Sequence, residues 1–238
     1  MAATTFPRLL DALVREDAAR PLVTFYDDAT GERVELSVAT YANWVAKTAS
    51  LLGDELDVGH GDTVRLDLPV HWLGPVCLGA VWTLGARVSD TDASGDLVIC
   101  GPASLQRHAG QAESTPVLAS SLRPLGGRFE DPLPSGVVDF GAVVLAQPDV
   151  YAPVDPPEPS DEAWTDGTSQ ADLLAAAADG TVRTGGRLLT DANPCTRDGA
   201  RTLLAPLQRS ASTVWVAHPD ESVWDSRVEQ ERITDQLR

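Results

Sequence analysis

The stretch Ala163-Trp164-Thr165-Asp166-Gly167-Thr168-Ser169-Gln170-Ala171-Asp172-Leu173-Leu174 reads as the end of a strand, a short hydroxyl-rich loop and the start of a helix running through Ala175–Ala178. A loop of this kind at a helix N-terminus can bind phosphate, because the free backbone N–H groups and the helix dipole point at the same place. The rival reading is a structural turn ending in a helix cap, with Thr168 or Ser169 accepting from a backbone N–H. Thr165, Asp166, Gly167, Thr168 and Ser169 are the candidate ligand contacts, and no catalytic residue is assigned.

Working outward, Pro148–Ser160 holds Pro148, Pro153, Pro156, Pro157 and Pro159, so it is an extended loop and a possible break between subdomains. On the other side, Gly185–Thr190 reads as a strand, Gly199–Gln208 as a helix and Thr213–Ala217 as a strand. The polar tail Asp220–Arg238 spaces Val223, Trp224, Val228 and Ile233 as a weak helical stripe; it is set apart as an acidic tail or helix beside a single domain over 1–219. Towards the N-terminus, Val138–Gln147 fits a helix face or a buried strand and is read as helix. Strands at Thr115–Ala119, Leu97–Cys100, Arg87–Ser89 and Thr63–Leu68 alternate with helices at Pro102–His108 and Val70–Leu84, an α/β arrangement. Ser37 caps a helix carrying Val38, Tyr41, Val45, Thr48, Leu52 and Leu56 on one face, Pro21–Asp27 with Arg33–Leu36 forms a hairpin, and Thr5 caps a first helix.

Composition narrows the partners. The 238 residues carry a net charge of −17, which repels nucleic acid and anionic lipid. Lys47, on the polar side of its helix, is the only lysine; arginine over lysine reads as high-GC coding bias ahead of salt adaptation. No apolar run approaches the ~18–20 residues that span a membrane, and Met1–Pro7 lacks the features of a signal peptide, so a soluble cytoplasmic protein is expected. Cys77, Cys100 and Cys195 show no metal or redox spacing and are read as buried or half-buried free thiols. No metal site is expected. His60, His71, His108 and His218 form no recognisable catalytic motif and are read as surface or capping residues. The six tryptophans lack basic neighbours and read as core, with Trp164 abutting the loop. Gly59-His60-Gly61 precedes a strand, the wrong order for a dinucleotide fingerprint.

The loop resembles the phosphate loop T-S-G-T-T-G-x-P-K-G of adenylate-forming (AMP-binding) enzymes, which include acyl-CoA synthetases. Thr165, Gly167 and Thr168 match, Asp166 stands at a small-residue position, Gln170 at the second glycine, and no lysine follows. A second resemblance runs from Leu36 to Asp92, through Leu36-Ser37, Tyr41, Gly61-Asp62-Thr63-Val64, Leu68-Pro69, Leu78-Gly79-Ala80 and Gly85-Ala86, which are packing and turn residues. In all, the likeness covers about Leu22 to Ala217. It is most similar to a short high-GC Gram-positive bacterial family with degenerate motifs, whose members look like N-terminal fragments of AMP-binding enzymes.

The resemblance implies an α/β fold of layered sheets covered by helices on both faces, as in a truncated N-terminal domain of these enzymes. In the full-length enzymes the loop's lysine and hydroxyls hold the ATP phosphates; the segments for adenine, Mg²⁺ and ribose would lie beyond Arg238. Asp166 beside a phosphate would cost about 4 kcal/mol at ~4 Å and an effective dielectric of ~20. The first expectation is therefore an inactive pseudo-ligase with an interaction or regulatory role, without cofactor, whose exposed apolar face meets a protein partner or a second copy. The alternatives are a small-molecule module binding a nucleotide (ATP or AMP) or an acyl group, and an adenylate-forming half-enzyme completed in trans.

Overall fold

Runs such as Leu-Val-Ile-Cys at 97–100 and Ser-Thr-Val-Trp-Val-Ala at 212–217 carry no solvent face, and strands of that kind have to be covered on both sides. The computed structural model, which describes residues 3–91, 95–178 and 182–238, places both inside sheets. One sheet has the order β4 (Arg87–Ser89), β3 (Thr63–Asp67), β5 (Leu97–Cys100), β6 (Val117–Ala119), β7 (Val137–Asp139), every pair parallel. The other has the order β10 (Asp235–Leu237), β8 (Arg187–Thr190), β9 (Ser212–Ala217), β1 (Pro21–Asp27), β2 (Glu32–Ser37). It is parallel except for the β1–β2 hairpin.

Helices α1 (Phe6–Asp17), α2 (Val38–Ser50), α3 (Leu73–Thr83), α6 (Gln170–Ala178) and α7 (Arg201–Gln208) share one core with the inner faces of both sheets. Alternation along the strands assigns the faces: Leu97 and Ile99 of β5 join that core, whereas Val98 and Cys100 pack outward with Leu105 of α4 (Leu105–Ala109). In β9, Trp215 and Ala217 face inward, and Val214 and Val216 meet Trp224 of α8 (Glu221–Gln230). The fold is thus α/β with helices on both faces of two mainly parallel sheets. Every residue of α3 is buried, which fits its apolar composition all round. No described helix is long and apolar enough to cross a membrane.

Four readings change. The segment Val138–Gln147 is divided: Val138 and Asp139 belong to edge strand β7, and the short helix α5 (Phe140–Val143) starts after an Asp139 cap whose Oδ1 accepts from the Gly141 N–H at 3.0 Å. The tail Asp220–Arg238 holds α8 as its stripe suggests, then returns as β10 beside β8. His71 and His108 are buried rather than at the surface; His71 still caps, its Nδ1 accepting the N–H of Leu73 at the start of α3, while His108 Nε2 meets Asp67 Oδ2 at 2.6 Å. Lys47 turns from solvent onto Asp149 and the Gln147 carbonyl. Asp92, at the end of the second resemblance, lies outside the described residues. All three cysteines are buried free thiols, and burial pushes the Cys77 thiol up to about 12.

Candidate functional site

Glu162–Ser169 forms a tight hairpin at the edge of the first sheet. Trp164 bridges Val88 in parallel, and Glu162 bridges Ser169 in antiparallel sense. The ends are tied by the Ala163 and Thr165 N–H groups, which donate to the Thr168 and Val88 carbonyls at 2.8 and 3.0 Å. Gly167 sits at the apex with φ +88°, a conformation that costs glycine nothing, and its N–H donates to the Trp164 carbonyl at 3.2 Å. Ser169 caps α6 reciprocally with Asp172: its Oγ accepts from the Asp172 N–H at 3.1 Å and donates to Asp172 Oδ2 at 2.7 Å.

Asp166 turns back over this hairpin. Its Oδ1 accepts from the Thr168 N–H at 2.9 Å and its Oδ2 from Arg197 Nε at 2.8 Å. Arg197 also donates from a terminal nitrogen to Thr168 Oγ1 at 2.9 Å and lies over the Trp164 ring, 5.8 Å from its centroid. Burial pulls the Asp166 carboxyl upward, but its hydrogen bonds from Thr168 and Arg197 outweigh that and hold it at about 2. The Arg197 backbone is fixed in turn, its N–H donating to Asp90 Oδ2 at 2.8 Å, while Trp164 Nε1 donates to Asp90 Oδ1 at 3.4 Å.

The loop carrying Arg197 runs from β8 to α7. Asn193 pins it, donating from Nδ2 to the Leu68 carbonyl at 2.8 Å and accepting the Cys195 N–H on Oδ1 at 3.0 Å. Gly199 is obligatory there, since a Cβ would lie 1.8 Å from the Asn193 carbonyl oxygen. Gln170, at the position of the motif's second glycine, is buried. It donates to the Trp82 carbonyl at 2.8 Å and accepts the Phe6 N–H at 2.9 Å, joining the hairpin to α3 and α1.

The structure therefore brings Asp166, Gly167, Thr168 and Ser169 into one hydrogen-bonded hairpin, with Thr165 exposed beside them. Sequence reasoning missed Arg197 and Asp90. Arg197 is 31 residues from Asp166, on a loop whose only local signal is Asn193-Pro194, and nothing in the spacing pairs the two. Among the described residues no group of three His, Cys, Asp or Glu side chains could hold a metal ion.

No protein-family model matches the chain. A curated relative, a TIGR03089 family protein of Mycobacterium tuberculosis, is 36% identical over 231 residues, 95% of each chain. Among solved structures, an acyl-CoA synthetase of Brucella canis superposes with a TM-score of 0.76 at 20% identity, over 96% of this chain and 46% of that one. A benzoate CoA ligase from Burkholderia xenovorans LB400 gives 0.73 at 18% identity, over 98% and 49%. The anthranilate CoA ligase AuaEII, in complex with anthranoyl-AMP, gives 0.71 at 14% identity, over 98% and 48%. The chain thus spans about half the length of each ligase.

Proposed function

Because the chain belongs to the TIGR03089 protein family and folds as about half of an acyl-CoA ligase, we propose that it is a non-catalytic pseudo-ligase of the cytoplasm, acting through protein contacts. One observation carries this reading. The donors that a phosphate loop would offer to a nucleotide, the Thr168 N–H and the Arg197 guanidinium, are both turned onto the loop's own Asp166. Asp166 acts as a tethered anion, so these residues do not fit a phosphate group and no adenylation step is derived through one. Gln170 supports the reading from the other side, because it ties the loop to the core where the resembling motif carries a glycine.

Large apolar side chains in water support a contact role: Leu125, Leu145, Val150 and Val154 are all more than half exposed. Leu145, Val150 and Val154 fall within ten residues at the start of the proline-rich stretch, a surface suited to a protein partner or a second copy of this chain. Three buried free thiols agree with a reducing compartment.

The test is carboxylate-dependent pyrophosphate exchange together with mass by light scattering. The expected result is no exchange over a range of aliphatic and aromatic acids, and an assembly that Leu145→Asp with Val150→Asp breaks without unfolding. Exchange by the purified chain, or on adding a ligase C-terminal domain, would overturn the proposal.

A further inference from the structure

The carboxyl ends of β1, β3, β8 and β9 converge on a second place, away from the hairpin of Asp166. Where parallel strands end together, their loops diverge and leave a crevice that α/β proteins use for ligands. Here it is a cavity of about 340 Å³, lined by Asp27 at the end of β1, His71 after β3, Asp191 after β8, and His218 after β9, with Glu32 from the hairpin. Its size suits a small molecule. Phe25, Val70, Leu122 and Val216 supply an apolar wall.

Two of the residues lining this cavity each carry a polar atom that is out of water and lacks a hydrogen-bond partner among the described residues: His71 Nε2 and Glu32 Oε1. The His71 tautomer follows from its other nitrogen. Nδ1 accepts the Leu73 N–H at 3.2 Å, so a neutral ring carries its proton on Nε2 and presents a donor. His71 is 3% exposed, edge-on to Phe25 with ring centroids 4.8 Å apart, so the ring is held in place. A buried donor and a buried acceptor left unpaired are each a cost to the fold, which a ligand carrying the matching groups would recover.

Charge selects the ligand. Asp27 shares a hydrogen bond with His218 at 2.9 Å and Asp191 faces Arg238 at 3.7 Å, whereas Glu32 has no ion-pair partner among the described residues. We propose that this cavity binds a small primary amine with an apolar body and a hydrogen-bond-accepting oxygen. The ammonium meets Glu32 and the oxygen accepts from His71 Nε2–H, while Phe25 and Leu122 hold the body. The site shares no residue with the Asp166 hairpin and stands whether or not the protein is a pseudo-ligase.

Tyramine is the probe, with 3-(4-hydroxyphenyl)propionate and 4-ethylphenol as its anionic and neutral counterparts. The readouts are calorimetric titration and the side-chain ¹H–¹⁵N resonance of His71 Nε2. Tyramine is expected to bind at ~1 mM or tighter and to move that resonance, with the anion weaker by about tenfold or more. Glu32→Gln should weaken tyramine by about tenfold and leave the melting temperature unchanged, and His71→Gln should weaken all three probes. The proposal is overturned if the anion binds as well as the amine, if Glu32→Gln leaves tyramine affinity intact, or if no probe moves the His71 resonance at ~10 mM, which would mean that a buried water alone satisfies it.

Discussion

Asp166 receives two donors from different parts of the chain, and its behaviour rests on both. Its carboxyl is held at about 2 against the opposing pull of burial, so the Arg197 contact is complete above the ordinary aspartate range and is lost only as the pH falls towards 2. The pair is partly exposed to solvent, and its removal should change stability little while freeing Arg197 for other anions. His71 behaves in the opposite setting. Burial, partly offset by nearby Asp27, pushes its imidazole down to about 4. The unfolded chain therefore takes up a proton first as the pH drops. Stability is full above about 6.5 and declines towards pH 4, by roughly 3 kcal/mol in all. Denaturant titrations between pH 7 and 5 should show that decline, and His71→Gln should flatten it; an unchanged slope in the variant would place the titration elsewhere.

At the scale of elements, α8 and β10 close the second sheet, held by the Glu231 pairs with Arg33 and Arg187 and by a more deeply buried pair made by α8. Arg227 and Asp28, with side chains 9% and 7% exposed, meet at 2.6 Å, and the guanidinium stacks 4.3 Å above the Tyr26 ring. Asp28 also accepts the Asp220 N–H at the start of α8. Asp28→Ala should cost about 3–5 kcal/mol, because it leaves Arg227 buried and unpaired. Amide exchange should then rise over 221–237 and stay unchanged in β3 and β5. A loss below ~1 kcal/mol would show that Trp224 packing and the Glu231 pairs hold the tail without it. Elements of this kind mark the limit of what the sequence tells. Strands β1, β4 and β5 are legible to the residue because apolar runs and turn residues bound them. Strand β10 is not, since Asp235-Gln236-Leu237 has neither apolar alternation nor β-branching and becomes a strand only by pairing with β8. The same reason hides the site: Asp166 is visible in its loop, while Arg197 and Asp90 reach it through tertiary contacts alone.

The whole molecule is two helix-covered sheets, with one hairpin whose anion-binding groups are already in use. Its α/β architecture is the part most open to sequence reasoning, because buried parallel strands leave uninterrupted apolar runs. Its charge of −17 adds a general repulsion for nucleotides, and Arg197, the cation at the hairpin, is already paired. The most direct measurement is thermal unfolding, with calorimetry, of the wild-type chain and Asp166→Ser in saturating Mg-ATP. A ligand at ~100 times its Kd stabilises by about 2.7 kcal/mol, a shift of several degrees for a chain of this size. The expected result is no shift and no binding heat for the wild-type chain, with detectable phosphate or nucleotide affinity appearing only in Asp166→Ser. A shift of that size in the wild-type chain would show that the hairpin opens for a nucleotide, and would contradict the pseudo-ligase reading.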